Sequence, residues 1–199
     1  MKSNVCSIEQ GTRDLEAILK ESERVAQYAG LSHKQSLQLR LLCEEIDGML
    51  PNIIDDFEGE LWIDFDEGVC KVNIAIQIPE LNTDKKQELI AISKKGRNAA
   101  AVGIVGKIRD AVQNFFLDDE RMEAMVLSTG PFGASTGYSE GVDYAYLWRL
   151  EEYRNSVKQA RQGEAWDELE KSVIASVADD VIVGVKGKQA SIVIVKKFV

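Results

Sequence analysis

The chain has 199 residues, of which 45% are hydrophobic, and this is enough for one large domain with a core of its own. Its 33 acidic residues outnumber its 24 basic residues and give a formal charge of −9, which disfavours binding to the phosphate backbone of a nucleic acid. Only one histidine, His33, is present, so a zinc site with several histidine ligands is excluded.

The three cysteines, Cys6, Cys43 and Cys70, are widely spaced and lack the CxxC spacing of a metal site. Cys43 and Cys70 fall within apolar periodic runs, so we expect buried free thiols in a reducing compartment. The first ten residues lack the apolar stretch of a signal peptide, and no apolar run has the length of a membrane span. We therefore expect a cytoplasmic protein that does not enter a membrane.

A strand and an amphipathic helix are predicted at the start of the chain. The strand falls at residues 4–9. Thr12 or Asp14 can cap the helix, whose apolar residues then recur at spacings of three and four. Gly30 ends it, because glycine accepts the left-handed backbone that commonly follows a helix.

A second helix and a β-hairpin follow. Ser32 is the expected cap of the helix, and Pro51 predicts a kink or an end because proline has no backbone N–H to donate. Residues 60–65 and 69–78 then alternate between apolar and polar side chains, which is typical of strands. The turn residues 66–68 join the two strands into a hairpin.

Helical patterns dominate the second half of the chain. Four segments have apolar residues at helical spacing: 84–93, 98–116, 143–161 and 165–177. Residues 128–141 are rich in Gly, Ser and Thr and indicate a loop, and residues 181–185 and 190–195 form a closing hairpin. This order predicts an α+β two-layer sandwich, with helices on one face of a mixed, largely antiparallel sheet and a helical insertion before the last hairpin.

Three stretches resemble the small anti-sigma-factor serine kinases, which belong to the ATPase superfamily of gyrase, MutL and the histidine kinases. They are LRLLCEEIDGMLPNII at 39–54, GELWIDFDEGVCKVNIAI at 59–76 and VADDVIVGVKGKQASIVIVKKF at 177–198. The resemblance implies a single ATPase-like domain over residues 1–199. It places an insertion at about 118–164 if the family's phosphate-binding helix is 98–116, or at 81–163 if that helix is the one just before the closing hairpin.

The family's second helix carries a catalytic glutamate and, four residues later, an asparagine that holds Mg²⁺. The resemblance places the glutamate at Glu44, as the group that activates water or a substrate hydroxyl. The asparagine position is Gly48, so Mg²⁺ loses its side-chain ligand there. Asn52 is the next residue on the same helix stripe, and we expect it to contact the nucleotide.

The family also binds phosphate through a Gly-rich segment that opens a helix, where backbone N–H groups meet the anion. Gly103, Gly106 and Lys107 resemble a remnant of this segment, although close helix packing through the glycines explains them equally well. The family's adenine-binding aspartate has no counterpart, because the corresponding strand ends at Gln77 and is followed by Ile-Pro-Glu. Gln77 offers an amide oxygen in its place.

Two functions are consistent with these residues. The first is an ATP-binding regulatory protein that resembles an anti-sigma-factor kinase, with weak or no catalysis. The alternative is a non-catalytic protein-interaction module that keeps the fold and has lost nucleotide binding. Both imply a protein partner or a second copy of the chain, with no nucleic acid and no membrane as partner. An unrelated enzyme with Glu44 or Glu45 as its base has only the carboxylates to support it.

Overall fold

The computed structural model describes residues 1–9, 12–54, 57–77, 103–117, 145–160, 167, 169, 172–186 and 189–198. The strands in these ranges are β1 (Cys6–Glu9), β2 (Thr12–Arg13), β3 (Glu58–Asp66), β4 (Val69–Gln77), β5 (Ala145–Arg149), β6 (Asp180–Lys186) and β7 (Gln189–Lys197). The helices are α1 (Leu15–Tyr28), α2 (His33–Ile53), α3 (Gly103–Leu117), α4 (Leu150–Ala160) and α5 (Val173–Val177).

One sheet contains all seven of these strands, in the order β2-β1-β3-β4-β7-β6-β5. Every pairing between described strands is antiparallel. The first hairpin, β3–β4, and the closing hairpin, β6–β7, meet where β4 pairs with β7 over nearly their whole length. This arrangement confirms the α+β class and the predicted antiparallel pairing of both hairpins.

The core lies on one face of the sheet. Leu61, Ile74, Ile192 and Val183 stand side by side on the four central strands and are at most 1% exposed. The same core takes buried apolar residues from all five described helices, among them Ile18, Ile46, Ile108, Leu150 and Ile174. Ala75 and Val195 point to the other face and are not part of this core, so the described helices pack on one side, as expected for two layers.

The predicted helix starts are confirmed by side-chain hydrogen bonds. Ala17 N donates to Asp14 Oδ1 (2.9 Å) at the start of α1, so Asp14, one of the two possible caps, is the one used. Ser32 and Gln35 form a reciprocal capping box at the start of α2. Gly30, between the two helices, has a φ of +63°. Short-range signals therefore set the ends of this helical hairpin.

α2 ends at Ile53, two residues after Pro51, so the helix end that the proline predicts near this position is confirmed. Because Pro51 lies in the last turn, few residues follow it that need the helical hydrogen-bond ladder. Leu50 and Ile53, on either side of the proline, are both 1% exposed, so this turn is also held by burial against the core.

Residues 143–161 were predicted as one helix, and this is wrong for the first part. The structure has strand β5 at Ala145–Arg149 and then helix α4. β5 pairs with β6, whose outer edge would otherwise lack a partner, and the register shifts between Tyr146 and Trp148. An available sheet edge and aromatic residues favour a strand here over the helical spacing of the sequence.

The other helical predictions have mixed outcomes. The helix expected at 98–116 is described from Gly103, and of the helix expected at 165–177 the structure describes α5. The helix predicted at 84–93 and the loop predicted at 128–141 lie outside the described residues. None of the helices in the described ranges combines the length and apolar composition needed to cross a membrane.

Candidate functional site

The candidate residues of α2 lie on the side of the helix that faces away from the sheet. Residues on the opposite side are buried against the core: Leu39, Leu42, Cys43, Ile46, Met49, Leu50 and Ile53. At 100° per residue, Glu44 points about 160° away from Ile46, and Gly48 and Asn52 follow at one-turn intervals. Glu44 is half-buried, whereas Gly48 and Asn52 are exposed. We call these three residues the α2 stripe.

Glu44 is held by an arginine one turn earlier on the same helix. Arg40 Nε donates to Glu44 Oε1 (3.0 Å), and Arg40 Nη1 donates to Glu23 Oε1 (2.8 Å) on α1. The guanidinium therefore joins two carboxylates and links α1 to α2. The Arg40 and Glu44 side chains are 41% and 40% exposed, so solvent screens their attraction. We call this contact the Glu23–Arg40–Glu44 chain.

Asn52 and Gly48 contact each other within α2. Asn52 Nδ2 donates to the backbone oxygen of Gly48 (3.0 Å). A Cβ added at Gly48 would meet no atom within 4 Å, so the surface beside this residue has room for a side chain. The amide group that we expected to contact a nucleotide is thus engaged by its own helix, and position 48 contributes only backbone.

The α2 stripe does not fit Mg²⁺. This ion prefers oxygen ligands in near-octahedral geometry. Glu44 Oε1 accepts from Arg40, and Gly48 has no side-chain oxygen. Within the part of the chain that the structure describes, no group of three or more His, Cys, Asp or Glu residues is placed to hold a metal ion. On the stripe, Mg²⁺ would therefore meet the carboxylate of Glu44 and no side-chain oxygen at the next position.

The Gly-rich segment lies at the start of α3, and α3 packs against α2. Gly103 has a φ of +78°, in the left-handed region that favours glycine. Gly106 is buried and Lys107 is half-buried. Among the described residues, no hydrogen bond or ion pair joins Glu44 or Asn52 to Gly103–Lys107. The fold brings the two helices together, while the Glu44 and Asn52 side chains are bonded within α2.

Gln77, the residue that could take the place of the adenine-binding aspartate, is exposed at the end of β4. Its backbone lies between Glu58 of β3 and Gln189 of β7. A polar side chain at this strand end has access to solvent and to a ligand. A role for Gln77 in base recognition stays a prediction.

The three thiols are free and buried, which confirms the prediction for Cys43 and Cys70 and extends it to Cys6. Burial raises the pKa of Cys43 far above its usual value, and the charges of Cys70, Cys6 and Glu44 add to the shift. Burial, with a contribution from Asp64, raises the pKa of Cys70 to about 12. Because the thiolate is the reactive form, none of these pKa directions favours a cysteine nucleophile.

Arg40 lies at the candidate site, and its role there was not predicted from the sequence. Its spacing of four from Glu44 is a known pattern for an ion pair on a helix surface and was available in the sequence. Its second partner, Glu23, lies 17 positions earlier on α1. No short-range pattern could have shown that contact, because it depends on how the two helices pack.

A second charged cluster joins β5, α4 and β6. Arg149 donates through Nε (3.0 Å) and Nη2 to Asp180 Oδ2, and Asp180 Oδ1 accepts from the backbone N–H groups of Glu151 (3.2 Å) and Val181 (2.9 Å). Arg154 donates to the backbone oxygens of residues 175, 178 and 179. Asp180 is 8% exposed and is hydrogen-bonded through both carboxylate oxygens, so we assign this cluster a role in holding the fold together.

No protein family, curated protein or solved structure matches the chain.

Proposed function

We propose that this protein is a regulatory protein that binds a nucleotide, with ATP as the first ligand to test, and that it has weak or no catalytic activity. The observation that carries the proposal is the set of side chains on the α2 stripe and the contacts that they make. It has a glutamate at the position that the resemblance implies for catalysis, but this carboxylate is paired with Arg40 and the next position is Gly48. A glutamate whose carboxylate oxygen already accepts a hydrogen bond from a guanidinium is a poor general base.

Support for binding comes from the start of α3. The N-terminus of a helix of 15 residues presents backbone N–H groups and the positive end of the helix dipole, which favour a phosphate group. The left-handed backbone at Gly103 lets the chain turn into this helix, and Lys107 adds a positive charge one turn later. Because the chain carries a formal charge of −9, an anion would bind more favourably at this positively charged segment than elsewhere on the protein.

The second candidate function is a protein-interaction module without nucleotide. One observation favours it: Glu44 and Asn52 are already bonded within α2, and Gly106 is buried, as expected for close helix packing. Leu37, two turns before Glu44 on the same outward face of α2, is 50% exposed and offers an apolar contact to a partner. In this case the α2 face would bind protein and the start of α3 would bind nothing.

The deciding experiment is a thermal-shift titration with ATP, ADP and GTP, each in EDTA and in Mg²⁺, followed by calorimetry of any ligand that shifts the melting temperature. A ligand at 100 times its dissociation constant adds about 2.7 kcal/mol to the free energy of unfolding, which is a shift of several degrees. We expect ATP to bind equally well with and without Mg²⁺, and we expect no measurable hydrolysis.

Two matched lysine variants locate the site. Lys107→Gln should weaken ATP binding about tenfold if this charge meets the phosphates, a loss of about 1.4 kcal/mol. Lys20→Gln, at an exposed position on α1, removes the same charge elsewhere and should leave binding unchanged. No shift with any nucleotide at millimolar concentration would reject the nucleotide proposal and leave the interaction module.

A further inference from the structure

The mismatch between the α2 stripe and Mg²⁺ has a second cause besides Gly48. A cation of the protein itself already lies beside Glu44. The guanidinium of Arg40 is within hydrogen-bond distance of Glu44 Oε1 (3.0 Å) and of Glu23 Oε1 (2.8 Å), so a positive charge is in direct contact with the candidate catalytic residue and with its neighbour on α1. Arginine stays protonated at any ordinary pH, so this positive charge is permanent.

A divalent ion at Glu44 would have to lie close to this guanidinium. The two positive charges would repel each other at a distance of a few ångströms, where Coulomb interactions are significant even in a high dielectric. The ion would also have to compete with Arg40 for Glu44 Oε1. Restoring a ligand at position 48 would therefore not be sufficient for metal binding.

We propose that Arg40 takes the place of the divalent metal on the α2 stripe and keeps metal ions out of it. The inference rests on the proposed function, since it explains why nucleotide binding there would not depend on a metal. Two features separate the stripe from a metal site: the missing oxygen at Gly48 and the charge of Arg40. Position 48 lies one turn after Glu44, and its surroundings have room for a side chain, so both features can be reversed by substitution.

The test uses Gly48→Asn alone, Arg40→Gln alone, and the two together. The matched control is Gly48→Asn with Arg24→Gln, because Arg24 is also a half-exposed arginine paired with a carboxylate, Glu21, at 2.9 Å. Mn²⁺ binding is measured by electron paramagnetic resonance without nucleotide, and ATP binding is measured by calorimetry in EDTA and in Mg²⁺. Circular dichroism and melting temperatures establish that each variant is folded.

Gly48→Asn alone should bind Mn²⁺ no better than the unmodified protein. The double variant with Arg40→Gln should bind Mn²⁺ at least about tenfold more tightly than Gly48→Asn, since a nearby like charge has been removed. The control with Arg24→Gln should behave like Gly48→Asn. Under the same conditions, ATP affinity in the double variant should become dependent on Mg²⁺.

The proposal is overturned if Gly48→Asn alone, or the Arg24 control, binds Mn²⁺ as tightly as the double variant, because Arg40 would then exclude nothing. It is equally overturned if the double variant is folded and still binds no Mn²⁺. Failure of the unmodified protein to bind ATP in EDTA would reject the proposed function instead. The Mn²⁺ measurements need no nucleotide, so they decide the role of Arg40 in either case.

Discussion

Arg149 and Arg40 each hold a carboxylate of a neighbouring element, but the two contacts differ in burial. The Arg149 and Asp180 side chains are 22% and 11% exposed, and Asp180 also accepts two backbone hydrogen bonds. The Arg40 and Glu44 side chains are 41% and 40% exposed and have only other charged side chains as partners. The first contact joins a strand and a helix to the closing hairpin, whereas the second lies on the outer surface of α2.

Burial separates charged residues that hold the fold together from charged residues that are available for chemistry. Removing one partner of a buried pair leaves the other uncompensated, so such a pair is needed by the fold. A half-exposed pair is screened by water and contributes little to stability, so its members remain available to a ligand. We therefore place the structural role at Asp180 and the candidate site at Glu44.

The largest effect is expected at the buried contact. Asp180→Ala should lower the free energy of unfolding by about 3 kcal/mol, because Arg149 loses the more buried of its two carboxylate partners and two backbone N–H groups lose their acceptor. Urea unfolding at neutral pH measures this. Glu151→Ala is the control, since Glu151 also contacts Arg149 (3.3 Å) but is 63% exposed. A loss below about 1 kcal/mol for Asp180→Ala would remove the distinction between the two regions.

The buried thiols make the stability of the protein depend on pH. Burial raises the pKa of Cys43 and Cys70 in the folded state, so the folded protein disfavours the thiolate. The contribution of each buried thiol to the free energy of unfolding is fully present below about pH 8.5, the pKa of a thiol in the unfolded chain. As the pH rises from there toward the pKa of the thiol in the folded protein, this contribution is lost by about 1.4 kcal/mol per pH unit for each thiol.

Urea unfolding at about pH 8 and about pH 10, on either side of the unperturbed thiol pKa of about 8.5, measures how the free energy of unfolding changes with pH. The variant with Cys43→Ala and Cys70→Ala is less stable but should show a shallower slope above pH 8.5, because it has no buried thiol to ionise. An equal slope in both proteins would mean that other groups cause the alkaline loss of stability.

A smaller effect is expected at the exposed stripe. Gly48→Ala should raise the free energy of unfolding by about 0.5–1 kcal/mol, because alanine is the better helix former and restricts the unfolded chain. The new Cβ meets no atom within 4 Å. The change in urea midpoint measures the gain. Gly59→Ala is the opposing control, since a Cβ there would lie 2.4 Å from the backbone oxygen of Ala75. Destabilisation by Gly48→Ala would show that position 48 is not open.

The smallest effect is expected at the Glu23–Arg40–Glu44 chain. Arg40→Gln should lower the free energy of unfolding by less than about 1 kcal/mol, and raising the salt concentration should reduce the difference further. Thermal melts at low and high salt measure both quantities. A loss as large as that of Asp180→Ala would make Arg40 a structural residue and would argue against a site at Glu44.

Much of the fold could be predicted because its signals are local. Asp14 and Ser32 mark helix starts through a hydrogen bond to a residue three positions later, and the alternation in 60–65 and 69–78 marks two strands. Both hairpins were predicted for the same reason, since turn residues and alternation lie within a few positions of each other. The positions of Glu44, Asn52 and Gly103 on α2 and α3 also follow from local helical spacing.

The misplaced elements depend on contacts between distant parts of the chain. β5 was predicted as helix because its sequence has helical spacing, but the free edge of β6 provides backbone partners that a local pattern does not contain. In β5, therefore, tertiary packing outweighs a local preference. The end of α2 at Ile53, two residues after Pro51, follows the local signal of the proline instead.

Residue type and spacing over a few positions are enough to predict the α+β class, the cap of α2, the two hairpins and the burial of Cys43 and Cys70. Three contacts become visible only in the fold: β4 pairs with β7, Arg149 meets Asp180, and Arg40 joins Glu44 to Glu23 on another helix. These last contacts depend on packing between elements far apart in the chain, and the state of the candidate site is among them.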